Sequence, residues 1–188
     1  MRIFALAACS AASLSLAACG GSSVGDLSEV DLPDQYASLE GLVTAAENGD
    51  LATASETMMS GTANLSGALA ISDIGDDEEL EAIGDLSLTA DFTGGTVTGT
   101  ADNFGLYDED TQALEEELSG SLAISGTTAG TSLTADAIGT VNDGEDHSVD
   151  LDLSGTFYDY DGQLALYGDL EGTIDSETYE GGFGAIED

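Results

Sequence analysis

The residue with the most specific chemistry is Cys19. It follows Leu16-Ala17-Ala18 and precedes Gly20-Gly21-Ser22-Ser23. Small residues ahead of a cysteine fit the narrow site of a lipoprotein signal peptidase. The thiol is the group that takes a diacylglycerol, and cleavage between Ala18 and Cys19 frees an amine for a further acyl chain such as palmitate. Upstream, Arg2 supplies a basic start, and residues 3–18 carry no charge. That run is too short and too small-sided for a membrane span but has the plan of a secretory signal. A second Leu6-Ala7-Ala8-Cys9 lies inside it. Cleavage there would leave only a few apolar residues for export, so Cys19 is the expected lipidation site. Position 20 is Gly rather than Asp, which makes the outer membrane the expected destination. Two or three acyl chains give stable anchorage where one does not.

Other chemistry is hard to find. His147 is the sole histidine, in Asp143-Gly144-Glu145-Asp146-His147, and reads as a turn residue ahead of a strand. A catalytic triad needs a histidine with a nucleophile and an orienting acid. Ser and Asp are so abundant that their presence selects no pair, and the same holds for the two separated acids of a glycosidase. The expectation is therefore a protein that is not an enzyme. Calcium is the one cofactor worth weighing. Asp159 and Asp161 alternate ahead of Gly162, and hard cations want several oxygens at once. The twelve-residue loop with its closing Glu is absent, so the bland reading is a solvated turn. Asp76-Asp77-Glu78-Glu79 and Asp108-Glu109-Asp110 invite the same two readings, loose cation binding or solvation.

All 38 acidic residues follow Cys19, and the only Lys or Arg is Arg2. Residues 19–188 thus have no strong base to pair with a carboxylate. Nucleic acid and anionic lipid surfaces are repelled by such a field and are poor partners, and no nucleic-acid partner is expected. Cys19 is the one cysteine left after cleavage, so no disulfide supports the fold even in an oxidising compartment.

These residues need elements to position them. Residues 1–18 form the signal, 19–30 a flexible tether, 31–60 a helical segment and 61–188 a β domain. Asp31 can cap the helix, with Pro33 and Asp34 suited to its first turn. Tyr36, Leu39, Leu42, Val43 and Ala46 fall at helical spacing, and Asn48-Gly49 is a stop signal. A weaker helical turn over 51–59 is expected next. The segment should pack an apolar face on the β domain or plug one end of it. From Gly61 the period changes to two. Eight alternating segments follow, around Leu65, Leu88, Val97, Leu122, Ala135, Leu151, Leu166 and Phe183. Gly94-Gly95, Asn142-Asp143-Gly144 and Asp161-Gly162 punctuate them as hairpin turns. Two acidic insertions, 73–81 and 107–117, read as exposed loops, the second with room for a short helix. One apolar and one polar face over eight strands predicts an antiparallel up-and-down barrel with a packed interior. A membrane-spanning barrel would need a lipid-facing apolar band and aromatic girdles, which the Ser, Thr, Asp and Glu of the polar set do not provide.

Several stretches also resemble the transferrin-binding protein B-like surface lipoproteins. They are Met59-Ser60-Gly61-Thr62-Ala63-Asn64-Leu65-Ser66-Gly67, the pair Leu88–Phe92 and Gly95–Gly99, and the ending Gly155-Thr156-Phe157-Tyr158, Gly168, Gly172 and Gly181-Gly182-Phe183-Gly184-Ala185. The similarity spans about residues 36–188. Where the family continues with Gly-Pro, this chain has Asp159-Tyr160-Asp161-Gly162, and it lacks the extra handle domain of the larger members. The resemblance implies a single barrel and surface display; it carries no ligand. Together these readings predict a lipid-anchored outer-membrane barrel that binds a protein or small-molecule ligand through its loops. The competing expectation is a structural, acidic envelope lipoprotein with weak cation binding and no specific partner.

Overall fold

A computed structural model describes residues 33–74 and 80–188. The signal, the tether, Cys19, Asp31 and Asp76-Asp77-Glu78-Glu79 lie outside these residues. Helix α1 (Asp34–Asn48) comes first, preceded by Pro33 and ended by Gly49 in the left-handed conformation, φ 73°. That is the stop expected from Asn48-Gly49. The helix does not resume over 51–59. Instead Ala52–Thr53 (β1) pairs with Tyr158 and Asp159, and residues 56–58 form a turn.

Eight long strands follow: β2 (Thr62–Ile74), β3 (Leu80–Asp91), β4 (Thr96–Asp108), β6 (Ser119–Ala129), β7 (Ser132–Asn142), β8 (Asp146–Tyr160), β9 (Gln163–Ile174) and β10 (Glu177–Glu187). A four-residue β5 (Leu114–Glu117) interrupts the series. Each long strand pairs antiparallel with its successor, and β10 returns to pair with β2, Phe183 opposite Leu69. The result is the closed, eight-stranded up-and-down barrel that the period-two pattern predicts. The 107–117 insertion, which reads as an exposed loop with room for a short helix, instead holds β5, because Leu114, Glu116 and Glu117 find backbone partners on β4.

The apolar set faces inward. Leu65, Leu86, Leu122, Leu151, Leu153, Leu166, Phe157 and Phe183 are fully buried, and among the described residues no polar or charged residue is buried. The polar set forms the outer wall, the inverse of a membrane-spanning barrel. One end is closed. Phe92 meets Phe157 edge-on at 5.1 Å between ring centroids. Ala54, Met58 and Met59 pack against the same core, so this turn covers the closed end.

The helix packs outside. Leu39 lies against Ala68, Ala70, Ile83 and Tyr107 on the outer wall. Its seat is cut from small residues: a Cβ on Gly184 would come within 2.9 Å of Leu39 and 3.1 Å of Leu42. At the N-terminal end of α1, the Tyr36 hydroxyl donates to Glu81 Oε2 at 3.3 Å. Burial, followed by the charge of Glu81, pushes the Tyr36 phenol up to about 12, and burial also raises Glu81.

The outer wall carries a row of opposed carboxylates. Asp136 faces Asp152, Asp152 faces Glu171, and Glu171 faces Glu180, across four successive strands. Like charges directly opposite one another destabilise a sheet, and salt screens exposed charges. The thermal midpoint is therefore expected to rise by a few degrees from low to physiological ionic strength. Asp152→Asn should raise it at low salt and leave it unchanged at high salt, as read by circular dichroism melting. A midpoint indifferent to salt would sink this account of the wall.

Candidate mouth pocket

The end opposite the Phe92–Phe157 plug is not filled. Here some of the lining positions carry small or short side chains, Ala82 on β3, Val141 on β7 and Val149 on β8, and a cavity of about 430 Å³ opens at this end. That is within the range of about 300–1,000 Å³ found for small-molecule sites. An eight-stranded barrel is wide enough either to be filled by side chains or to hold one small ligand, and this one does each at a different end.

Phe104 is, with Tyr179, one of two aromatic side chains lining this cavity. It lies over Gly84, where a Cβ would meet its ring at 2.5 Å. Pairing between β3 and β4 shifts at the same place, between Ile83 and Asp85, and Asn103 has φ 52°. A bulge thus turns Phe104 into the barrel, and the glycine makes room for it. Leu106 and Leu118 line the wall where the strand order changes: β5 pairs with β4 alone, whereas β6 pairs with both β4 and β7. Ile71, Ile74 and Ile174 complete the apolar lining.

The rim is ionic. His147, at the start of β8, stands between Asp143 of the β7–β8 turn and Asp175 of the β9–β10 turn. Its Nε2 lies 3.0 Å from Asp143 Oδ1 and its Nδ1 lies 2.7 Å from Asp175 Oδ2. Two carboxylates can both accept from one ring only when both nitrogens carry hydrogen, so this geometry belongs to the imidazolium. Each carboxylate is itself fixed. Asp143 Oδ1 accepts from the Glu145 N–H at 3.1 Å, and Asp175 Oδ1 accepts from the Ser148 N–H at 2.9 Å. The Asp175 N–H donates to the Ser148 carbonyl at 3.0 Å. Asp175 and Ser176, with φ 51° and 77°, form the tight turn that carries this clamp. Glu177 and Tyr179 complete the rim, the Tyr179 hydroxyl donating to Glu177 Oε2 at 3.2 Å.

Electrostatics follow the contacts. The hydrogen bond to Asp175, then that to Asp143, raises the His147 pKa above its ordinary value. The Glu145 N–H, then His147, lowers Asp143; His147, then the Ser148 N–H, lowers Asp175. All three remain solvent-accessible, His147 at 31%. With both ring nitrogens engaged by carboxylates, His147 has no free nitrogen to serve as a base toward a nucleophile.

The other candidates are placed differently. Asp159 lies near the end of β8 and Asp161 in the β8–β9 turn, at the closed end. Asp159 Oδ1 accepts from the Gly162 N–H at 2.9 Å, closing that turn. Asp108 Oδ1 accepts from the Thr111 N–H at 2.7 Å and from its hydroxyl at 2.6 Å. Among the described residues no three His, Cys, Asp or Glu side chains are grouped to hold a metal ion. Sequence reasoning left His147 without a partner and missed Asp175 and Glu177. The signal for them was faint: Asp175-Ser176 between Ile174 and Glu177 is a two-residue turn without glycine, which only the tolerance of Asp for left-handed backbone hints at. Comparison with known proteins gives no match to a family model and none to a curated protein.

The clamp has a measurable pH signature. His147 is raised in the folded chain, so its contribution to stability is complete below the unfolded value of about 6.5 and is lost as pH rises through the higher folded value. Asp143 and Asp175 are lowered, so theirs is present above about 3.9 and is lost as pH falls through their folded values. NMR titration should place His147 above 6.5 and Asp175→Asn should bring it down. An unchanged titration in that variant would remove Asp175 from the clamp.

Proposed function

We propose that the chain is a lipid-anchored protein of the bacterial outer membrane whose barrel takes a small apolar ligand in its open mouth. The observation that carries this reading is the apolar cavity of about 430 Å³ at one end of a barrel whose other end is tightly packed. A core optimised for stability alone would close both ends, because each cavity forfeits packing. Cys19 in its Leu-Ala-Ala-Cys setting supports the anchor, and the resemblance to surface lipoproteins supports outward display.

The position of the helix supports the link between the two. Tyr36 reaches Glu81 at the start of β3, so α1 begins beside the mouth. The chain from Cys19 to Pro33 reaches at most roughly 50 Å when fully extended. A mouth tethered this close to a bilayer suits ligands that partition into membranes. The protein acts by binding and catalyses no reaction. A second reading, a structural acidic envelope protein, is favoured by the Asp136–Asp152–Glu171–Glu180 row alone.

Two experiments test the proposal. A neutral, environment-sensitive fluorophore such as N-phenyl-1-naphthylamine should bind saturably to the wild-type barrel. Ala82→Phe, which places a ring in the cavity, should weaken it by about tenfold or more. Equal binding by the two proteins would remove the mouth as the site. In cells, Cys19→Ala should abolish incorporation of labelled palmitate and release the protein from the membrane fraction. Retention of the variant there would refute lipid anchorage.

A further inference from the structure

We propose that the mouth selects amphiphiles with a protonated amine head and rejects those with a carboxylate head. This inference rests on the reading of the mouth as a ligand site and adds the chemistry of the headgroup. The apolar wall formed by Ile71, Phe104 and Val149 takes a hydrocarbon but places no polar partner within the barrel. Any polar group of the ligand must therefore lie at the rim, where it meets Asp143, Asp175 and Glu177. The sole cation of that rim, His147, is already shared between two carboxylates at 2.7 and 3.0 Å.

Charge complementarity then has one direction. Residues 19–188 contain no Lys or Arg, so a carboxylate head would stand among like charges at the rim with no free cation to receive it. An ammonium head carries three donors. Asp143 and Asp175 spend acceptor capacity on the Glu145 and Ser148 N–H groups and on His147, whereas Glu177 accepts from the Tyr179 hydroxyl on one oxygen, Oε2. Glu177 is therefore the rim carboxylate with most capacity left for a new donor. Hydrogen bonds to charged groups are stronger than neutral ones, enough for about a tenfold preference. The carboxylates of the outer wall contribute a diffuse attraction for any cation, but salt screens it and it does not require the cavity.

Calorimetric titration separates these contributions. The mature chain, residues 19–188, carries Cys19→Ala so that no acyl chain of its own competes for the cavity. Dodecylamine, dodecanol and dodecanoate share one tail and are used below their aggregation concentrations at moderate salt. One amine should bind per chain, about tenfold or more tighter than the alcohol, with the carboxylate weakest. Glu177→Gln should shrink the gap between amine and alcohol and leave the alcohol unchanged, while Glu180→Gln on the outer wall should alter neither. Ala82→Phe should abolish saturable amine binding; if it does not fold, Val141→Phe serves. Equal binding of amine and alcohol would overturn the headgroup inference while leaving the mouth as an apolar site. Saturation by none of the three would overturn both. Amine binding that survives the cavity-filling variant would assign it to the outer wall and overturn the inference.

Discussion

The pairing of the last strand with the first is the interaction on which the rest of this structure depends. Along β10, Gly181 to Glu187 lie opposite Ile71 to Leu65 of β2. That pairing removes both sheet edges and turns a ribbon with one apolar face into a wall around an apolar interior. It also creates the seat of the helix, because Gly184 and Ala68 of the paired strands are small enough for Leu39 and Leu42 to approach the wall. Without closure, the apolar face would be open to water and the mouth would not exist.

A second constraint is the absence of a strong base after Arg2. A buried carboxylate is costly unless it is paired or hydrogen-bonded. With no Lys or Arg available, no carboxylate among the described residues is fully buried, and the partly buried Glu81 takes the Tyr36 hydroxyl. Backbone N–H groups fix several of them: Thr93 and Gly94 donate to Asp91, Gly162 to Asp159 and Ser148 to Asp175. The one ionic cluster of the described residues gathers around His147. It ties the β7–β8 turn to the β9–β10 turn and thereby shapes the rim of the cavity.

The asymmetry between the two ends follows from where the aromatic side chains fall. Phe92, Phe157 and Phe183 occupy the closed half, with Met58 and Met59 across its end. The open half has Phe104 and Tyr179, and otherwise Ala, Val, Leu and Ile. The barrel is rigid where it is filled and offers volume where it is not. A single chain thus holds a stable scaffold and a concave apolar site without a second domain.

Much of this was written in the pattern of residues. Period-two alternation over eight segments determined the strands, their inward faces and the barrel class, because side chains on a strand alternate by geometry and one register alone buries the apolar set. Asn48-Gly49 determined where α1 ends, and the charge count determined that no carboxylate after Cys19 could pair with a Lys or Arg. Tertiary structure decided what depends on distance between remote strands. It decided between the two places open to α1 by seating it on the outer wall, put the short strand β5 into the 107–117 stretch that reads as an exposed loop, and closed the far end with residues 54–59. It also brought Asp175 to His147 across 28 positions of sequence. Alternation gives the face of a residue but not its height along the barrel axis, and height separates the packed half from the empty one. Height is set by register between strands, which is a property of the closed sheet and of no segment alone.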